Sequence, residues 1–192
     1  MTAFLLDYLP TFTAISPIAA TGVAGLLAGV LSTLLGDRRA ILAAQATASS
    51  LFLVHFLLLG AHTGMLMCGL GLIQMVLRLP RRIGPALAVA YALTVPAALA
   101  VAALTWQGPM SALSASGFLL ATLGRWQSAV GPMRLCFIAA TLVGAGHNLL
   151  AGSGFGLASD AMSLTGHGVS LWRGGIGRSL LRGRNAGNAI PA

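Results

Sequence analysis

Seven side chains stand inside or beside apolar runs, and their types and spacing suit proton transfer or the binding of a polar solute: His55, His147, Asn148, Asp160, Ser163, His167 and Ser170. His55 and His147 each precede a glycine by five residues, in His55-Phe56-Leu57-Leu58-Leu59-Gly60 and His147-Asn148-Leu149-Leu150-Ala151-Gly152. On helices that end at those glycines both rings lie about 7 Å from the helix end, at one common depth. Asp160, Ser163, His167 and Ser170 follow i, i+3, i+7, i+10 spacing and line one helix face. Histidine titrates near neutral pH, so a network in which Asp160 accepts a hydrogen bond from His147 is expected to bind a polar solute or pass a proton. The same groups serve equally as glue between helices, contributing typically ~0.6 kcal/mol per contact.

No nucleophile stands beside a base, and there are no paired carboxylates or phosphate loop, so an enzyme is not expected. A histidine pair at equal depth invites haem or copper. No Met or Cys stands beside the pair and no ligand spacing recurs, so neither metal nor another cofactor is expected. Cys68 and Cys136 read as packing thiols on opposite sides of the layer, too far apart for a disulfide.

The elements that must position these residues follow from composition. Of 192 residues 57% are hydrophobic and only 7% charged, and mean hydropathy is +0.88. That is too little charge to cover a water-soluble domain, which runs near a quarter charged. The bilayer is therefore the expected main solvent and partner. The net charge of +8 could indicate nucleic acid, but the basic residues sit in short clusters between apolar runs and form no single basic face. Nucleic-acid binding is not expected.

Apolar runs bounded by turn residues give seven spans: Pro17 to Gly36, Ile41 to Gly60, Gly64 to Leu79, Gly84 to Trp106, Ser111 to Gly124, Met133 to Gly152, and Phe155 to Trp172. The third, fifth and seventh are the shortest or most polar. The expected fold is an all-α transmembrane bundle. Clusters such as Asp37-Arg38-Arg39, Pro80-Arg81-Arg82 and Arg125-Trp126-Gln127 fall on one side only, which marks that side as cytoplasmic and orients the chain N-out and C-in. No Arg or Lys precedes Arg38, so the first span is expected to remain in the mature protein. Gln74 reads as a helix-to-helix hydrogen bond and His62 as a solvated loop residue.

The two histidine motifs suggest an internal repeat. Each follows a short span ending in a similar run, Leu31-Ser32-Thr33-Leu34-Leu35-Gly36 and Leu120-Ala121-Thr122-Leu123-Gly124. The chain divides into an N-terminal extension (1–16), a three-helix unit (17–79), a linker helix (84–106), a second three-helix unit (111–172) and a disordered basic tail (173–192). This 3+1+3 parallel-repeat plan resembles the SWEET and PQ-loop transporters in architecture, without their Pro-Gln pair. By residues, Ala48 to Gly60, His147-Asn148, Ala151-Gly152-Ser153, Asp160 and Arg173 resemble the YgjV-type family of bacterial inner-membrane proteins. That resemblance implies a multi-pass protein of the inner membrane and no particular activity. The leading expectation is a carrier of a small polar solute through a cleft between the two units. The alternative is a membrane scaffold that modulates a partner complex; the oligomeric state is left open.

Overall fold

The computed structural model describes residues 16–80 and 84–187, with side chains up to Gly174. It is all-α: α1 Pro17–Leu34, α2 Arg38–Leu58, α3 His62–Arg78, α4 Pro85–Leu104, α5 Pro109–Trp126, α6 Val130–Leu150 and α7 Gly154–Gly187. The N-terminal extension before Ser16, Arg81 and Arg82, and residues 188–192 lie outside the described residues. Four helices, α1, α2, α4 and α6, are long and apolar enough to cross a membrane.

Local signals fix the helix ends. Ser16 accepts the Ala19 amide at 3.1 Å and Pro17 opens α1; Asp37 accepts the amides of Arg39 and Ala40 and so caps α2. Gly60 and Gly152 take φ of +71° and +66°, where the chain turns back and closes the preceding helix. At the first turn Gly60 N donates to Leu57 O and Ala61 N to Phe56 O; at the second Gly152 N donates to Leu149 O and Ser153 N to Asn148 O.

The expected spans correct by up to three residues at each end, apart from the C-terminal end of the last, and two of these shifts change the chemistry. Helix α5 does not stop at Gly124 but runs through Trp126, so Arg125 belongs to a helix and not to a loop. Gly124 is a close-packing position, where a Cβ would lie 2.7 Å from Phe137. Helix α7 runs on to Gly187, so the stretch from Arg173 is helical where a disordered tail was expected. His62 is exposed as expected, but it opens α3 instead of lying in a loop.

Six helices pack as a ring in the order α1, α2, α3, α5, α6, α7 and back to α1, while α4 lies outside against α3 and α5. Large apolar side chains such as Leu27, Leu34, Leu93, Leu104 and Leu142 point outward, while Thr33, His55, Gln74, Ser111 and His167 are buried. Lipid outside and polar contacts inside account for this inverted pattern.

One end of the ring gathers arginines. Arg38 donates to the carbonyls of Arg78, Arg125 and Gln127, each at 3.0 Å. Arg78 donates to the carbonyls of Arg125 and Trp126 and stacks 4.7 Å from the Trp126 ring. Arg134 donates to Thr33 O at 2.9 Å and Leu35 O at 2.6 Å. These carbonyls belong to the C-terminal ends of α1, α3 and α5, which lack intrahelical donors and carry the negative end of the helix dipole. Arg38, expected in a loop between spans, therefore serves as a helix cap together with Arg78 and Arg134.

Helix bounds recur at a constant interval. Pro17–Leu34 and Pro109–Trp126, and likewise Arg38–Leu58 and Val130–Leu150, begin and end 92 residues apart (109 less 17, 126 less 34, 130 less 38, 150 less 58). The starts of α3 and α7 keep the same interval (154 less 62).

Candidate functional site

The helices of the ring line an open cavity of about 270 Å³, to which α1, α2, α3, α5, α6 and α7 all contribute. Five of the seven singled-out residues line it: His147, Asn148, Asp160, Ser163 and His167. His55 and Ser170 do not. Ser170 instead donates to Thr33 O at 3.1 Å, beside the Arg134 contact. The face that carries Asp160, Ser163, His167 and Ser170 therefore turns inward, toward the cavity and then α1.

The expected bond between His147 and Asp160 is not formed. Asp160 accepts from Asn148 Nδ2 at 2.7 Å, while His147 Nδ1 donates to Met110 O at 3.1 Å. The reason is angular: consecutive residues on a helix differ by about 100° in direction. Asn148 faces α7, and His147 faces α5 and the start of α3.

The two histidines occupy matching positions but have unequal surroundings. His55 Nδ1 donates to Ile18 O at 3.0 Å and its Nε2 accepts from Ser153 Oγ at 2.9 Å. Ser153 Oγ accepts in turn from Gly156 N at 3.0 Å, so it caps α7 at the same time. His147 donates to Met110, which lies 92 residues after Ile18 (110 less 18), yet its Nε2 is buried without a partner. The residue 92 before Ser153 is Ala61, which precedes α3 and supplies no side-chain cap. A methyl group stands where the other half has a hydroxyl. Gly64 completes the seat, since a Cβ there would lie 2.5 Å from His147 Nε2.

A prediction follows from this pair. Ala61→Ser gives α3 an N-cap and His147 Nε2 a donor, and is expected to stabilise the protein by about 1 kcal/mol. Denaturation with SDS in mixed micelles measures it; an unchanged or earlier midpoint would mean the site has no room for the hydroxyl.

At the arginine end, His167 Nδ1 lies 3.0 Å from Arg134 Nη1. Guanidinium only donates, so Nδ1 accepts and the ring proton sits on Nε2. Gln74 makes the helix-to-helix bonds expected of it: its Nε2 donates to Thr94 at 2.6 Å and Thr122 at 2.9 Å, and its Oε1 accepts from Arg125 Nη1 at 2.8 Å.

Arg125 was not among the expected site residues, and neither was Gln45. Both line the cavity. Arg125 is 9% exposed, its Nε is buried without a partner, and Gly71 makes room for its Nη2, where a Cβ would lie 3.2 Å away. Gln45 Oε1 is likewise buried and unpaired. The constant interval of 92 was the signal for Arg125, because it aligns this residue with Thr33 inside α1 (125 less 33).

The cavity thus has a carboxylate toward the histidine end and a guanidinium toward the arginine end, with hydroxyls of Ser49, Ser114 and Thr141 among aromatic and small residues between them. Such a lining can hold a small polar solute. No curated protein and no solved structure matches the chain. The family model described as "Imp-YgjV: Bacterial inner membrane protein" matches residues 18–175. With helices fit to cross a bilayer and that match over most of its length, the chain belongs to the Imp-YgjV family of bacterial inner membrane proteins.

Proposed function

We propose that this protein is a small carrier whose cavity takes up a polar solute between two three-helix units, residues 17–79 and 111–172, with α4 as the linker that lets both units run in the same direction. The observation that carries this reading is a cavity with polar groups set in a mostly apolar lining, to which all three helices of each unit contribute. Further support comes from the 92-residue interval and from packing in which the first helix of each unit lies on the third helix of the other. Parallel repeats with the site between the halves are a plan found among transporters. The reading includes seven passes, N-out and C-in, with the arginine end cytoplasmic by the positive-inside rule. It includes no enzymatic step.

Cys68 lines the cavity and provides the test. In a Cys136→Ser background, a membrane-impermeant thiol reagent is added to right-side-out and to inverted vesicles. A carrier that opens alternately to the two sides is expected to be labelled at Cys68 in both preparations. Labelling in neither, with the protein folded, would favour the scaffold reading, in which the polar residues are only packing contacts.

A further inference from the structure

We infer that the group held by Arg125 is an oxyanion, a carboxylate or phosphate, so that the solute is a small anion; this rests on the reading of the cavity as a solute site. The inference starts from unbalanced charge. The sequence has three acidic residues, and of the two described, Asp37 caps α2 and Asp160 accepts from Asn148. Among the described residues no carboxylate pairs with Arg125, although its side chain is nine-tenths buried.

The unused donors have a defined shape. Gln74 takes Nη1, and Gln74 is itself held by Thr94 and Thr122, so the guanidinium is pinned from that side. Nε and Nη2 are left: the first is orphaned and the second lies over Gly71, with no hydrogen-bond partner among the described residues. These two N–H groups form one edge of the guanidinium fork, whose spacing matches the two oxygens of a carboxylate or phosphate. Arg125 lines the cavity, and because its Nε is closed off from water, that edge meets a guest only once the guanidinium or a neighbouring side chain moves aside.

A second orphan lies at the same level. Gln45 is seven residues from the Arg38 start of α2, and Gly71 is seven from the Arg78 end of α3 (45 less 38, 78 less 71). The buried Gln45 Oε1 lacks a donor there, so it suits a hydroxyl or amine carried by the same anion. At about 270 Å³ the cavity has room for a small metabolite.

The test follows thermal unfolding of the full chain in phosphatidylcholine nanodiscs with acetate, inorganic phosphate, glycerol or ethanolamine as probes, for wild type, Arg125→Gln and Arg125→Lys. Acetate or phosphate is expected to raise the wild-type Tm, and which of them does so separates planar from tetrahedral oxyanions. Arg125→Gln should weaken that binding by ~10- to 100-fold, the effect of one charge-assisted pair. Arg125→Lys keeps the charge without the fork and should fall between; it also stands in if the Gln variant does not fold. A fifth arm adds phosphatidylglycerol without solute: an Arg125-dependent rise there, with none from acetate or phosphate, assigns the oxyanion to a lipid headgroup. Stabilisation by glycerol or ethanolamine alone, equal anion effects in all three proteins, or no stabilisation in any arm would overturn the oxyanion site. Cys68 labelling on the same preparations reports separately on the carrier reading, so either can fail without the other.

Discussion

Arg134→Met is expected to lower the free energy of unfolding by about 3–5 kcal/mol, the largest loss anticipated for any single side chain at the arginine end. Arg134 is 5% exposed and ties three elements together: α6, which carries it, the C-terminal end of α1 through Thr33 O and Leu35 O, and α7 through His167. Without it Leu35 O loses its side-chain donor and Thr33 O keeps only Ser170 Oγ at 3.1 Å, where little water can replace the charge, and a stranded acceptor costs more than its bond contributed. The effect should spread along the α1 to α7 contact, because Ser170 uses the same Thr33 carbonyl. Arg134→Lys should recover only part of the loss, since one ammonium cannot span the two carbonyls as the planar fork does. Arg39→Met is the control: Arg39 is exposed at the same end, so the midpoint should stay unchanged. SDS titration in mixed micelles gives all three values. A wild-type midpoint for Arg134→Met would mean that water or lipid headgroups satisfy these carbonyls and that the arginine is only a topological charge.

That contrast between a charge in a loop and a charge in a contact explains what could be read beforehand. The number of helices and their all-α nature follow from apolar length and turn residues, which act locally, while the inner-membrane setting came from the family resemblance; the helix bounds moved by only a few residues except at the end of α7, which runs 15 residues past Trp172 (187 less 172). The site was less legible, because a two-residue shift at a helix end reverses a side chain's surroundings. Gly124 reads as a stop, as glycine often is, but here it lets Phe137 approach closely while α5 continues. Arg125 consequently passed from a solvated loop to the cavity wall. The interval between the histidines would have prevented the error. Aligning Leu120 to Gly124 with Leu31 to Gly36 by their glycines sets an interval of 88 (124 less 36), one helical turn short of the 92 set by His55 and His147. At 92, Gly124 falls on Ser32, inside α1. No rule of sequence could have directed Asp160 to Asn148 in place of His147, since that choice depends on which way each face of α6 turns in the ring.

The two histidines are expected to differ sharply when each is replaced by leucine, although sequence treats them alike. His55→Leu should cost about 2–3 kcal/mol and His147→Leu about 1 kcal/mol or less. His55 is 1% exposed and has both ring nitrogens engaged, so its loss leaves Ile18 O with only the weaker Thr21 Oγ1 contact at 3.2 Å among its side-chain donors and Ser153 with one partner fewer, loosening the start of α1 and of α7 together. His147 has one bond and an orphaned Nε2, and removing a buried nitrogen that already lacks a partner offsets part of what the Met110 bond contributed. Mixed-micelle unfolding of the two variants measures the difference; equal losses would mean that Ser153 contributes nothing. Labelling of Cys68 then separates stability from function. His55 does not line the cavity, so folded His55→Leu should be labelled from both sides at the wild-type rate, whereas His147→Leu places an apolar side chain against the cavity and should change that rate. A slowed rate for His55→Leu would make the His55 and Ser153 link part of the opening movement, because that contact joins the second helix of one unit to the third of the other and would have to break whenever the histidine end parts.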